Sequence, residues 1–172
     1  HSLAVALSLL AAPILGRIYT PTEYGVVGIF AGVASVFSVV GNWQYSQAII
    51  MEKTDHRAFS MFPVCVVATL FTVLLACIPT VFLLFLAEGS QLASETKLWF
   101  ALIPIYAGGT ALIASCTALA NRFRHYRIMS LARLGAVMVG VTTSITFGML
   151  GYGSHGLFMG LFADQLVMLT VY

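Results

Sequence analysis

Long apolar runs alternate with short polar breaks along the whole sequence, and each run has the length of a membrane-spanning helix or a part of one. The run from Tyr24 to Asn42 has 19 residues, which at 1.5 Å per residue form about 28 Å of helix, enough for one crossing. The first and last runs are shorter, and we expect the sequence to be a fragment truncated at both ends. The pattern predicts six segments, at residues 3–16, 24–42, 59–86, 98–119, 134–150 and 157–172.

The most specific polar break runs from Gly16 to Gly25 and has the sequence GRIYTPTEYG. Proline is favoured in the first turn of a helix, where its missing N–H would have no partner, so Pro21 suits the start of a helix. Glu23 follows in the turn where the helix dipole favours a negative charge. The break therefore predicts a helix that begins close to Pro21.

Composition makes lipid the expected solvent for these segments. The 172 residues are 60% hydrophobic and only 8% charged, with a mean hydropathy of +0.97, whereas a soluble domain carries about 25% charged residues. So few charges could not cover the surface of a soluble fold, and the composition predicts an all-α integral membrane protein. The formal net charge of +2 gives no indication of a nucleic-acid partner.

The sequence contains no motif that predicts enzyme chemistry. It has no P-loop, no dinucleotide fingerprint, no H-E-x-x-H, no G-x-S-x-G and no carboxylate cluster outside the loops. Asp55 and His56 are an adjacent acid and base, but neighbours on a solvated loop seldom form a catalytic site. Cys65, Cys77 and Cys116 lie in apolar runs without metal-ligand spacing, which favours simple packing. We expect no enzyme activity, no metal and no cofactor, and transport fits better.

Basic residues are divided unevenly between alternate loops, and this division predicts the orientation. The positive-inside rule places the loops with more Lys and Arg in the cytoplasm. The break at 16–25 then faces the opposite side, and the missing N-terminus is cytoplasmic. Arg122, Arg124 and Arg127 are explained as a retention signal that also meets anionic headgroups. The loops after segments two and four contain Lys53, Arg57, Arg122, Arg124, Arg127 and Arg133, and those after segments one and three contain Arg17 and Lys97.

Three ionisable residues lie within or at the ends of apolar runs, where charge is costly. Asp164 shares a helix face with Gly156 and Gly160. Two roles stay open for it: a packing partner for an unseen basic residue, or a proton-responsive or substrate-facing group. Arg17 and Arg133 are each either an interfacial anchor or part of a cationic cavity that binds an anionic substrate.

Small residues recur at helical spacing in two segments. Gly28 and Gly32 form a G-x-x-x-G pair in the second segment, where we expect close helix packing rather than a ligand-facing groove. The fifth segment has a second stripe, which consists of Ala136, Gly140, Ser144 and Gly148.

The opening motif resembles a known membrane family. The run from Arg17 to Gly25, followed by Ala48–Met51 and a charged loop, is similar to the polysaccharide biosynthesis proteins, the Wzx-type flippases for lipid-linked oligosaccharides. Many of these relatives have a basic and an acidic residue just before the Ala-Ile pair, whereas this chain has Gln44 and Ser46. Later positions that agree with the resemblance are Arg133, Gly156, Leu157, Gly160 and Gln165.

The resemblance implies the fold of the multidrug, oligosaccharidyl-lipid and polysaccharide exporters, in which two helical lobes enclose a central cavity. This chain would form most of the N-terminal lobe, with about six transmembrane helices. The implied function is to move a polyprenyl-diphosphate-linked oligosaccharide repeat unit across the cytoplasmic membrane of a bacterium or archaeon, for O-antigen, capsule or exopolysaccharide synthesis. An H+ or Na+ gradient, rather than ATP, would drive this transport.

The resemblance also implies a cationic cavity for the diphosphate headgroup, because Arg pairs with phosphate oxygens in bidentate fashion. The implied partners are the lipid-linked oligosaccharide, membrane lipids and the polysaccharide polymerase machinery. The candidates for substrate binding are Arg17, Arg133, Asn42 and Gln44, and the candidate for ion coupling is Asp164.

Two other function classes stay open. A drug or small-molecule exporter of the same superfold would present aromatic and acidic residues to its substrate. A non-transporting membrane partner of polysaccharide assembly, such as a polymerase, would have a large extracytoplasmic loop in the flanking sequence.

Overall fold

A computed structural model describes residues 2–41, 43, 45–52, 55–86 and 94–172. Within these ranges every regular element is a helix, which confirms the predicted all-α class. The helices are α1 (Ser2–Ile18), α2 (Pro21–Gly41), α3 (Tyr45–Met51), α4 (Asp55–Leu86), α5 (Ser94–Ala101), α6 (Ile103–Arg122), α7 (Tyr126–Met149) and α8 (Ser154–Val171).

Five of the described helices are long and apolar enough to cross a membrane: α2, α6, α7, α8 and the Ser60–Phe82 part of α4. The apolar part of α1, Leu3–Ile18, is shorter. Large apolar side chains such as Leu74 and Ile78 are about 70% exposed on α4, as lipid contact requires. The chain is therefore an integral membrane protein with several crossings.

Proline explains one difference between the predicted segments and the observed helices. The predicted segment 98–119 is divided at Leu102 into α5 and α6, and Pro104 stands in the first turn of α6. A proline there lacks the N–H that an uninterrupted helix would use, so a new helix starts instead. In α4, by contrast, Pro63 and Pro79 lie inside one continuous helix.

Contacts divide the chain into two compact units, one formed by residues 1–29 and 124–172 and the other by residues 30–123. In the first unit α7 and α8 are antiparallel and α1 packs on α7. A Cβ on Gly156 would lie 3.1 Å from Gly148 N, and a Cβ on Gly160 would lie 2.8 Å from Gly140 O. The α7 stripe of small residues therefore provides a close helix interface.

The second unit is built on α3, α4 and α6. Ile49 and Cys65 are fully buried at its centre. The guanidinium of Arg122 donates hydrogen bonds to Ile49 O at 2.8 Å and to Glu52 O at 2.6 Å. Ile49 lies in the last turn of α3 and Glu52 directly follows that helix, so Arg122 satisfies acceptors that a helix end leaves without intrahelical partners.

Candidate functional site

A cavity of about 340 Å³ lies inside the first unit, among α1, the start of α2, α7 and α8. Its wall is mainly apolar, and two side chains of opposite charge, Arg133 and Asp164, face it together. Three hydroxyl-bearing residues, Ser8, Tyr24 and Ser144, also line it. A cavity of this size is at the small end of the range for small-molecule sites, about 300–1,000 Å³.

Helical spacing explains how α7 supplies its part of the wall. Arg133, Val137, Gly140 and Ser144 recur every three or four residues and lie on one face of the helix. Gly140 lies opposite Asp164 of α8, since a Cβ at Gly140 would be 3.1 Å from Asp164 Cβ. Arg133 comes seven residues before Gly140, about 10 Å along the helix. Arg133 and Asp164 thus contribute to the cavity wall from different levels along the two helices.

The two charges interact electrostatically without direct contact. Arg133 contributes a favourable electrostatic interaction to the Asp164 carboxylate, yet no ion pair within 4.0 Å joins them in the described structure. Arg133 is exposed and Asp164 is half-buried. Both groups therefore face the cavity with capacity to bind a ligand. Among the described residues, no three carboxylate, imidazole or thiol groups cluster in a way that could hold a metal ion.

A capping box fixes the start of α2, which borders this cavity. Glu23 Oε2 accepts hydrogen bonds from Thr20 N at 2.7 Å and from Thr20 Oγ1 at 2.8 Å, and Glu23 N donates to Thr20 Oγ1 at 3.4 Å. Pro21 occupies the first helical position, so the helix begins where the sequence predicts. This geometry aims Tyr24 and Val27 at the cavity.

Tyr19, the residue that directly follows α1, contacts α7 beside the cavity, and sequence reasoning did not single it out. Its hydroxyl donates a hydrogen bond to Ser144 O at 2.6 Å, and a Cβ on Gly148 would lie 2.8 Å from that hydroxyl oxygen. Burial raises the pKa of Tyr19, and the carboxylate of Glu23 raises that pKa further. The phenol therefore stays neutral, and it remains a donor at all physiological pH values.

A model of the family described as polysaccharide biosynthesis protein matches residues 14–172. The chain belongs to this family. No curated protein and no solved structure matches it. Except for Ser8, every residue that lines the cavity lies in the part that matches the polysaccharide biosynthesis family.

The candidate site residues predicted from the sequence do not all line the same cavity. Arg133 and Asp164 line one cavity. Arg17 is exposed and lines a different opening, with neighbouring α1 residues such as Pro13. Asn42 and Gln44 lie outside the described residues. The binding and coupling roles of all five residues remain predictions.

Proposed function

We propose that the chain is part of a transporter that moves a polyprenyl-diphosphate-linked oligosaccharide across the cytoplasmic membrane for the synthesis of O-antigen, capsule or exopolysaccharide. Membership of the polysaccharide biosynthesis family supports the pathway, and five helices of membrane length support a role within the bilayer. The observation that carries the proposal is a cavity among apolar helices that Arg133 and Asp164 line together.

The two charged side chains of the cavity are costly within a membrane. A charged residue at membrane depth costs about 2.5–3.5 kcal/mol on insertion scales, and such residues usually face a cavity or a partner. A guanidinium can offer two parallel N–H donors to phosphate oxygens. Arg133 lies about 10 Å from the start of α7, the end that the loop charges predict to be cytoplasmic. It would therefore meet a headgroup that enters from the side where we expect the substrate to load.

In this proposal the chain forms helices of one lobe of a two-lobe exporter and works by alternating access, without enzyme activity. An H+ or Na+ gradient drives transport, and Asp164 is the candidate for coupling. The proposed location is the cytoplasmic membrane of a bacterium or archaeon, with the N-terminal side in the cytoplasm. Polysaccharide polymerase machinery is the proposed protein partner.

The test is complementation of a strain that lacks its own lipid-linked oligosaccharide flippase but makes the matched repeat unit. We expect the full coding sequence to restore surface polysaccharide and Arg133→Gln to lower export about 10- to 100-fold, because charge-assisted hydrogen bonds to the headgroup are lost. Arg133→Lys should retain part of the activity, since it keeps the charge.

The matched control is Arg127→Gln, which removes the same charge from an exposed position on α7 that does not line the cavity. It should export normally. No surface polysaccharide with any matched repeat-unit pathway would contradict the proposal. Extrusion of cationic drugs that depends on Asp164 would instead assign the chain to drug export.

A further inference from the structure

We infer that the cavity among α1, α2, α7 and α8 binds the junction between a saccharide and its phosphate, with Arg133 holding the phosphate and Asp164 accepting hydrogen bonds from sugar hydroxyls. This inference rests on the proposed function and names the part of the substrate that the cavity takes. It makes Asp164 a group that selects glycosyl phosphates over bare phosphate, in place of the ion-coupling role.

Arg133 and Asp164 bring opposite charges into one cavity. A bare anion at Arg133 would gain from the guanidinium but would also be repelled by the Asp164 carboxylate, which lines the same cavity. A ligand with an anionic end and a hydroxyl-rich end avoids that penalty, because an ionised carboxylate is a pure acceptor of hydrogen bonds. Such charge-assisted hydrogen bonds are stronger than neutral ones.

The positions of the two groups fit a ligand with two ends. Asp164 lies at the level of Gly140, whereas Arg133 begins about 10 Å away along α7. No ion pair within 4.0 Å joins these two side chains, so a ligand does not have to break one in order to bind. Between these two levels the lining residue of α7 is Val137, which leaves the polar contacts at the two ends.

The remaining wall also suits a sugar more than a second charged group. Among the described lining residues, the further titratable side chain is Tyr24, which α2 contributes. From α1, Ser8 donates its hydroxyl to Ala4 O at 2.9 Å, so its oxygen can still accept a hydrogen bond. A volume of about 340 Å³ accommodates a small headgroup rather than a whole oligosaccharide.

The test measures binding of two soluble probes, glucose 1-phosphate and inorganic phosphate, to the full-length protein in lipid nanodiscs by isothermal titration calorimetry. The wild type should prefer glucose 1-phosphate. Asp164→Asn should bind that probe about 10-fold more weakly, while inorganic phosphate binds as well or better because a like charge is gone. Arg133→Gln should weaken both probes by a similar factor.

Glu52→Gln is the charge-matched control, since Glu52 belongs to the other unit and does not line the cavity. It should leave the preference unchanged. The amide of Asp164→Asn could still form some of the hydrogen bonds to the sugar, and Asp164→Ala has no such group. Asp164→Ala should therefore lose the preference at least as strongly as Asp164→Asn. Retained phosphate binding in the same sample shows that each Asp164 variant is folded.

Two results would overturn the inference. One is an unchanged preference in Asp164→Asn, and the second is loss of both probes in Asp164→Asn and Asp164→Ala, which indicates a purely structural role. If the first result is accompanied by transport that no longer depends on the ion gradient, Asp164 is assigned to coupling instead.

A competition experiment distinguishes a lipid-linked glycosyl phosphate from a soluble one. It can therefore contradict the proposed function without contradicting this inference. A polyprenyl-diphosphate-linked glucose included in the nanodiscs should displace bound glucose 1-phosphate from the protein, because both ligands use the same contacts. Retained glucose 1-phosphate would mean that the cavity serves a soluble sugar phosphate. That result would contradict the proposed flippase while leaving the contacts of Arg133 and Asp164 intact.

Discussion

At the scale of single residues, Tyr19 joins two helices through one polar contact. Its side chain is only 4% exposed, and its hydroxyl reaches the backbone oxygen of Ser144, which is 125 positions away in the sequence. The contact is shielded from solvent, so its loss should be measurable. A hydrogen bond of this kind contributes about 1 kcal/mol.

We expect Tyr19→Phe to lower the free energy of unfolding by about 1 kcal/mol, because it removes the donor and keeps the ring. Thermal unfolding in detergent, followed by circular dichroism, measures this loss. The matched control is Tyr24→Phe, which removes the hydroxyl of an exposed tyrosine whose ring meets that of Tyr19 edge to face at 6.2 Å. Equal losses in the two variants would contradict the role assigned to the Tyr19 hydroxyl.

Because the pKa of Tyr19 is raised, we expect the difference in unfolding free energy between wild type and Tyr19→Phe to depend on pH in a defined way. Burial and the Glu23 carboxylate raise the pKa in the folded state above its usual value of 10.0. Such a group contributes its full stability below the unfolded pKa and loses it as the pH rises through the folded pKa. The difference between wild type and Tyr19→Phe should therefore be constant from about pH 6 to 9 and decrease only above about pH 10.

The sequence identified the charged residues of the site but not their arrangement. Arg133 and Asp164 are conspicuous because charge within an apolar run is costly. That they line one cavity depends on the register between α7 and α8, which cannot be predicted from either residue alone. The same reasoning grouped Arg17 with Arg133, yet Arg17 lines a different opening. Tyr19 gave no signal, since its acceptor is a backbone carbonyl that every residue has.

At the scale of helices, small residues pack closely only where a second helix presents small residues in return. The expectation of close packing at Gly28 and Gly32 is wrong for the described structure, because a methyl group at either position would meet no atom within 4 Å. On α7, by contrast, Gly140 and Gly148 lie against glycines of α8. A G-x-x-x-G spacing therefore indicates that close approach is allowed, while the partner decides whether it occurs.

This contrast predicts opposite effects for two glycine substitutions. Gly160→Ala should destabilise the fold by about 1–3 kcal/mol, because the added Cβ would lie 2.8 Å from Gly140 O and would also clash with Ser144 Oγ. Gly32→Ala should be neutral or stabilise α2 by up to about 1 kcal/mol, since alanine is the better helix former. Thermal unfolding of both variants in the same detergent measures the difference. A loss at Gly32 as large as that at Gly160 would refute this account of the α7 and α8 interface.

Helix starts were predictable where local chemistry determines them. Pro21 and Glu23 act within one turn, and α2 begins at Pro21. The division at Leu102 was harder to predict, because proline ends one helix in α5 and α6 but is accommodated inside α4 at Pro63 and Pro79. Tertiary and lipid contacts decide between these outcomes, and a single sequence does not contain them.

At the scale of the whole molecule, alternation of loops places the break at 16–25 and the turn between α7 and α8 on the same side of the membrane. The structure agrees with this pairing, since a Cβ on Gly153 would lie 2.8 Å from Glu23 Oε1. Gly153 has a φ of +52° and Gly151 one of +81°, values that glycine adopts without strain. The two breaks therefore share one end of the first unit, whichever way that unit faces.

Which way the chain faces can be tested with two tyrosines of nearly equal exposure, Tyr126 at 57% and Tyr152 at 56%. We expect Tyr152→Cys to react with a membrane-impermeant maleimide in intact spheroplasts and Tyr126→Cys to react only after permeabilisation. The reason is that Tyr126 adjoins the basic cluster at 122–127, which the positive-inside rule retains in the cytoplasm. The background for both variants replaces the native cysteines, Cys65, Cys77 and Cys116.

Removing charge from that cluster tests whether the basic residues determine the orientation or whether the fold determines it without them. Arg124→Gln combined with Arg127→Gln should increase labelling of Tyr126→Cys in intact spheroplasts, because the orientation depends on the difference in basic residues between alternate loops. If Tyr126→Cys is labelled in intact spheroplasts without these arginine substitutions, the orientation is the opposite of the predicted one. Arg133 would then lie nearer the extracytoplasmic side, so the proposed loading of a headgroup from the cytoplasm would lose its physical basis.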